Sequence, residues 1–186
     1  MPNLDHLFWR FRLAIFVGLC LLPAIGAFGK ADPDRWMVGI PIATLGLWLS
    51  VTEARRFEIP DLASVGIAAC AGLAVTEGLI DFAPLVWNGL TALLTLVCLL
   101  LAGRLLYARF GQDAFGAGDA KLIAACTLLV GPLGLPSLIL IASLSGLVFG
   151  LLVRQQSRGI PLGPFIIFAA QIVWFFGPIA AFSGQP

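Results

Sequence analysis

The sequence predicts an all-α protein, a polytopic bundle of about seven transmembrane helices, and three observations support this prediction. Hydrophobic residues make up 60% of the chain and charged residues only 11%, whereas a soluble domain carries about 25% charged residues. The apolar residues are gathered in long runs that suit helices crossing a bilayer core of about 30 Å. These runs lack the alternation of barrel strands, and only helices or closed barrels satisfy the backbone in lipid. The main solvent of this chain is therefore the lipid bilayer.

Seven apolar runs are the predicted spans. Pro132 and Gly134 blur the end of the fifth run. No internal repeat or low-complexity linker divides the chain, so we expect a single domain over residues 1–186. In chain order the predicted spans are Leu13–Gly29, Trp36–Thr52, Leu62–Ile80, Leu85–Gly103, Leu122–Pro136, Ser137–Val153 and Ile160–Phe182.

The basic residues predict the orientation of the bundle. With the N-terminus in the cytoplasm, only Lys30 and Arg35 of the 11 basic residues lie on the outer side, as the positive-inside rule favours. The net charge is +1 and no basic run is present, so nucleic acid is not an expected partner.

Carboxylates beside membrane spans are functional candidates because ionisable groups are expensive there. Glu53, Glu58 and Asp61 lie between the second and third spans, and Asp119 opens the fifth, all on the predicted cytoplasmic side. Two carboxylates from different helices suit water-activated hydrolysis, since at short range one keeps a proton while the other acts as a base.

The segment Gly116-Ala117-Gly118-Asp119 precedes the fifth span. Its two glycines have no side chains to obstruct an extended peptide beside Asp119. The same residues also fit a short loop followed by an Asp that caps a helix. The spacing alone leaves both interpretations open.

Other hydrolytic mechanisms lack their residues. His6 is the single histidine and precedes the first span, so neither a Ser–His pair nor a His-Glu-x-x-His zinc site is available inside the bundle. Cys20, Cys70, Cys98 and Cys126 form no Cys-x-x-Cys pair, which disfavours a disulfide framework or a zinc site. We therefore expect no metal and no cofactor.

Three separated motifs resemble the prepilin peptidases, a family of Gly-x-Gly-Asp intramembrane aspartic peptidases. Glu53 through Ile59-Pro60-Asp61 is similar to the family's Asp-x5-(Ile/Leu)-Pro-(Asp/Asn) stretch. The segment Gly116-Ala117-Gly118-Asp119-Ala120-Lys121-Leu122 resembles its Gly-x-Gly-Asp-x-Lys-Leu motif. Ile160-Pro161-Leu162-Gly163-Pro164-Phe165 resembles its Pro-Phe-Gly-Pro-Phe segment. The three motifs occur in the family's order over about residues 50–170.

The resemblance implies an endopeptidase of the bacterial inner membrane. It would remove the basic leader of type IV prepilins or type II secretion pseudopilins at the cytoplasmic face, with no cofactor and an oligomeric state that the sequence does not define. Glu53 and Asp119 would be the catalytic pair. The resemblance implies supporting roles for the remaining motif positions, which are Gly116, Gly118, Lys121, Pro60, Asp61, Gly163 and Pro164. Pro60 and Asp61 also suit the start of a helix, and Lys121 suits the membrane interface.

Two departures from the family pattern matter. Longer relatives carry an N-terminal methyltransferase region with paired cysteines, and this chain has no such pairs, so N-methylation is not expected. The family's first catalytic position is Asp, and here it is Glu53, which is one methylene longer. Glu58 and Asp61 fit that position less well. The alternatives are an inactive family member acting as a membrane scaffold, and a small transporter whose Glu53 and Asp119 would face separate cavities.

Overall fold

The structure, a computed structural model, describes residues 3–56, 58–111, 116–153 and 161–179. Within these ranges the chain forms six helices and no strand. The prediction of an all-helical protein is therefore confirmed for the part of the chain described. In chain order the helices are α1 (Asn3–Ala27), α2 (Arg35–Arg56), α3 (Asp61–Thr76), α4 (Phe82–Phe110), α5 (Ala117–Val153) and α6 (Gly163–Phe176).

Three of the helices are long and apolar enough to cross a membrane, namely Arg35–Arg56, Phe82–Phe110 and Ala117–Leu152. The shorter helical segments Leu13–Ala27, Asp61–Thr76 and Gly163–Phe176 are also apolar. Large hydrophobic side chains cover the outside of the bundle, as on α4, where Leu93 is 59% exposed and Leu105 69% exposed. An apolar surface of this extent is stable in lipid and not in water. These features are those of a membrane protein, while the predicted count of seven spans and the side of the N-terminus stay predictions.

The largest difference from the predicted spans is that the fifth and sixth lie within one broken helix, α5. The backbone leaves helical geometry at Gly131, where φ is 70° and ψ is −178°. Pro132 disfavours helical geometry for the residue before it, and only glycine adopts this positive φ without strain. The predicted boundary between Pro136 and Ser137 is therefore wrong by about five residues.

The two halves of α5 run in opposite directions. The first half begins at the end of the bundle where Asp119 lines a cavity with Glu53. The second half returns to that end, since Phe149 near its terminus packs against Phe165 with ring centroids 5.4 Å apart. Both ends of α5 therefore contribute to one end of the bundle.

An asparagine of α4 stabilises the break. The carbonyl of Leu128 cannot accept the usual helical hydrogen bond because Pro132 has no N–H. Asn88 Nδ2 donates to this carbonyl over 3.0 Å, and Asn88 is 7% exposed. A Cβ at Gly131 would lie 2.7 Å from Asn88 Oδ1, so the glycine also makes room for the amide.

Candidate active site

Four helix termini meet at one end of the bundle, and each carries a residue of a predicted motif. Glu53 lies in the last turn of α2, which ends at Arg56. Asp61 is the first residue of α3, Asp119 lies in the first turn of α5 and Gly163 is the first residue of α6. Helix packing thus places three sequence-distant motifs side by side.

A cavity of about 470 Å³ lies between these termini. Both predicted catalytic residues line it. A transporter was expected to have them face separate cavities, and the shared cavity disfavours that alternative. The lining residues are Glu53, Glu58, Ile59, Asp61, Gly116, Gly118, Asp119 and Lys121.

Glu53 is buried, with 5% of its surface exposed. The backbone N–H of Gly163 lies against its carboxylate, with 3.4 Å between the nitrogen and Glu53 Oε1. This N–H belongs to the first turn of α6, where N–H groups have no partner within the helix and the helix dipole favours negative charge. Pro164 follows without loss of a hydrogen bond, because Pro is tolerated in the first turn. Of the predicted supporting pair Gly163-Pro164, Gly163 therefore contacts the predicted catalytic Glu53 directly.

Gly163 has no space for a side chain. A Cβ there would overlap Glu53 Oε2 and would lie 2.7 Å from Leu49 Cδ2. Leu49 is fully buried and precedes Glu53 by four residues, which places both on one face of α2. Leu49 was not among the residues predicted from the sequence, although this i, i+4 spacing was available as a signal.

Asp119 lies in the first turn of α5, where the helix dipole favours a carboxylate. Its carboxylate accepts a hydrogen bond from the backbone of Gly116. A Cβ at Gly116 would lie 3.1 Å from Asp119 Oδ2, so this glycine lets the carboxylate fold back over the start of the helix. Because α5 begins at Ala117, Asp119 is its third residue and not the capping residue of the alternative interpretation. Its catalytic role stays a prediction.

Gly118 joins the first and second motifs by packing. A Cβ at Gly118 would lie 3.0 Å from Cβ of Ile59, a distance tighter than ordinary contact. The small residue thus allows the segment before α3 to lie close to α5. Glu58, beside Ile59, is exposed and lines the cavity.

Asp61 and Lys121 form an ion pair, with 2.7 Å between Lys121 Nζ and Asp61 Oδ1. Their side chains are 72% and 45% exposed, so the pair is screened by solvent and stabilises the fold only slightly. Pro60 lies immediately before α3 in extended geometry, with φ −66° and ψ 132°. The predicted start of a helix at Pro60-Asp61 is confirmed.

The cavity has an acidic lining. Among the described residues that line it are four carboxylates and one cation, Lys121, which forms an ion pair with Asp61. Glu53, Glu58 and Asp119 are the other carboxylates in the lining. Within the described ranges, no group of three or more His, Cys, Asp and Glu side chains is placed to hold a metal ion.

Carboxylates converging at the end of an apolar helical bundle define a membrane protein with a candidate hydrolytic site. Residues 40–151 match the type IV leader peptidase family, and because this match covers more than half of the chain, the protein belongs to that family. No solved structure matches the chain.

Individual relatives agree with the family assignment. The chain is similar to the prepilin leader peptidase/N-methyltransferase of Dickeya chrysanthemi, with 33% identity over 170 residues, 77% of this chain and 57% of the relative. Relatives of the same name from Burkholderia pseudomallei and Legionella pneumophila are 33% and 27% identical over 83% and 76% of this chain. The chain spans about half the length of these relatives, 50% and 53% for the latter two.

Proposed function

We propose that this protein is an intramembrane aspartic endopeptidase with Glu53 and Asp119 as its catalytic pair. The observation that carries the proposal is that these two carboxylates, 66 positions apart in the chain, line one cavity at the end of an apolar bundle. Family membership supports peptidase chemistry. The described part of the site offers carboxylates as its proton-transfer groups.

The proposed reaction uses one carboxylate as a base and the other as an acid. The ionised carboxylate takes a proton from water, and the resulting hydroxide attacks the carbonyl carbon of the peptide bond. The protonated carboxyl donates its proton to the carbonyl oxygen. Collapse of the tetrahedral intermediate breaks the C–N bond, and the amine leaves with a proton returned from the carboxyl pair. Two carboxylates that share one proton in this way are an established device for peptide hydrolysis.

The proposed substrates are the leader peptides of type IV prepilins or of type II secretion pseudopilins. The names of the relatives support prepilin leaders as substrates. A basic leader is complementary to a cavity lined by carboxylates, because negative charge raises the local concentration of cations. The site would act at the cytoplasmic face of a bacterial inner membrane.

The first turn of α6 is proposed to position Glu53. Gly163 N–H approaches Oε1, and the missing Cβ of Gly163 leaves room for Oε2. A Glu at this position carries its carboxylate more than about 1 Å farther from the backbone than the family's Asp, and a displacement of that size costs about a hundredfold in rate when the site does not adapt. The contact with α6 is the local feature that would fix the longer side chain.

The identity of Glu53 also favours a second candidate function, that of a catalytically impaired membrane scaffold. In this case the buried Glu53 would serve only the packing of α2 against α6. The two functions differ in whether replacing the carboxylate by an amide changes any cleavage.

Leader removal from a co-expressed prepilin tests the proposal, with the parent chain compared with Glu53→Gln, Asp119→Asn and Glu53→Asp. The amide variants keep the shape of each side chain and remove its charge. We expect the parent to cut and both amide variants to abolish cutting. A parent that leaves several prepilins uncut while Glu53→Asp cuts them would identify a disabled peptidase. Failure of every folded version would favour the scaffold.

A further inference from the structure

Helix α6 packs along α2 by fitting side chains into gaps left by glycines. A Cβ at Gly39 would overlap the ring of Phe175. A Cβ at Gly46 would lie 2.5 Å from Ile167 Cγ2, much closer than carbon atoms in ordinary contact. The third fit is the reverse, with a side chain of α2 in a gap on α6. We name this contact the α2–α6 seam, and its residues are Gly39, Gly46 and Glu53 on α2 and Phe175, Ile167 and Gly163 on α6.

The seam has a regular spacing. Its α2 residues recur every seven positions, which places them on one face of that helix. Their partners on α6 follow in the opposite order, so the two helices run antiparallel. Because the packing is close at each fit, an axial shift of α6 would drive side chains against backbone atoms. The seam therefore fixes the axial position of α6 and, with it, the place of the Gly163 N–H beside Glu53.

Arg35 and Trp174 close the far end of the seam with reciprocal hydrogen bonds. Arg35 Nη1 donates to the Trp174 carbonyl over 2.6 Å, and Trp174 Nε1 donates to the Arg35 carbonyl over 3.0 Å. The Trp174 carbonyl lies in the last turn of α6, where carbonyls have no partner within the helix. The guanidinium also lies 5.9 Å from the centre of the indole ring, which adds a cation–π attraction. Trp174 is 7% exposed, so water competes little for these contacts.

We propose that Arg35 is a positioning residue for the Glu53 carboxylate, acting through Trp174 and the axial placement of α6. This inference rests on the proposed peptidase function. Backbone hydrogen bonds hold the rise of a helix at 1.5 Å per residue, so a shift at Trp174 reaches Gly163, about 16 Å away along α6. Arg35 and Trp174 both lie outside residues 40–151, which match the family, so the match assigns them no role.

Replacing the guanidinium tests the proposal. Arg35→Met removes the donor to Trp174 and keeps an apolar side chain of similar length. Lys30→Met is the matched control, because Lys30 is an exposed cation shortly before α2 and its loss changes the charge equally. Asp32→Asn is a second control, since Asp32 lies 3.7 Å from Arg35 Nε and is 80% exposed. Each purified variant is compared with the parent in leader removal from a purified prepilin in detergent.

We expect Arg35→Met to lower kcat at least tenfold with KM within threefold of the parent, because the lining of the cavity is unchanged. Arg35→Lys should recover at least half of the lost rate, since its amine can still donate to the Trp174 carbonyl. Both controls should match the parent. A kcat of Arg35→Met within twofold of the parent would overturn the proposal. An equal loss in Lys30→Met would also overturn it, because charge at this end of the bundle would then be the cause.

The Glu53→Asp background tests whether Arg35 acts through Glu53. The shorter side chain withdraws its carboxylate from Gly163, so Arg35→Met should cost less than threefold there. Residues far apart without shared partners act independently, and an equal loss in both backgrounds would therefore refute the link. If Arg35→Met does not fold, Trp174→Phe replaces it, because it keeps an aromatic ring and loses only the donor to Arg35. We expect Trp174→Phe to lower kcat about threefold in the parent background alone, and an unchanged kcat counts against the proposal.

The amide resonance of Gly163 separates failure of the seam from failure of the proposed function, since it needs no cleavage. In protein labelled with isotopic glycine, it is identified by its absence from Gly163→Ala. We expect Arg35→Met to shift this resonance and to leave that of Gly72 in α3 in place, while Lys30→Met shifts neither. An unchanged Gly163 resonance in Arg35→Met would overturn the inference even if the parent cuts prepilin. A shifted resonance beside a parent that cuts nothing would support the seam and show that the peptidase function fails.

Discussion

Substituting Ala for Gly163 should slow leader removal about a hundredfold without unfolding the protein. The added Cβ would overlap Glu53 Oε2 and lie 2.7 Å from Leu49 Cδ2, whereas carbon atoms in contact prefer about 3.5 Å. To relieve the overlap between the new Cβ and Oε2, the Glu53 carboxylate must move by about 1 Å. A catalytic group displaced by this distance costs about a hundredfold, which corresponds to about 2.7 kcal/mol in activation free energy.

The assay is the initial rate of leader removal from a purified prepilin in detergent. Gly72→Ala is the matched control, because a Cβ at Gly72 would meet no atom within 4 Å. The backbone of Gly163 does not have the positive φ that disfavours Ala, so the expected loss comes from displacement of Glu53 and not from backbone strain.

A double-mutant cycle with Glu53→Asp sharpens the test. The shorter side chain withdraws the carboxylate from Gly163, so Gly163→Ala should cost less than tenfold in the Asp background. Coupling of this size is expected only for residues in contact. A Gly163→Ala rate within about threefold of the parent, or the same hundredfold loss in both backgrounds, would refute the proposed positioning of Glu53 by α6.

Two further predictions concern stability. Asp61→Asn should lower the free energy of unfolding by less than about 1 kcal/mol, because the ion pair with Lys121 is largely exposed to solvent; a loss above about 2 kcal/mol in denaturant unfolding would contradict this. Asn88→Ala should destabilise the protein by about 1 kcal/mol, because it removes the hydrogen bond to Leu128 at the break of α5. Denaturant unfolding in detergent checks the prediction for Asn88→Ala, with Gly72→Ala as the control. If the unfolding midpoints of the two variants were equal, the break of α5 at Gly131 would not depend on the Asn88 amide.

The sequence predicted the helices better than their ends. Hydropathy located an apolar segment for each described helix, but α1 begins at Asn3 and α4 continues to Phe110, beyond the predicted bounds at Leu13 and Gly103. Helices continue past their apolar part because backbone hydrogen bonding does not stop where hydropathy does. The break at Gly131 depends on the local effect of Pro132, whereas Pro136 is accommodated within helix.

The candidate site was predictable by its residues and not by its contacts. Motif resemblance selected Glu53, Asp119 and Gly163, and the first two line one cavity. The approach of Gly163 to Glu53 joins residues 110 positions apart, and it depends on the packing of α6 against α2. No periodicity within either segment carries that information.

The most direct test of the central claim compares leader removal by Glu53→Gln, Asp119→Asn and the double variant with that of the parent. Residues that act as one catalytic unit are strongly non-additive. The account predicts that each single variant loses essentially all activity and that the double variant loses no more than either single one. Parent-like activity of Glu53→Gln, or losses that multiply in the double variant, would contradict a shared site of Glu53 and Asp119.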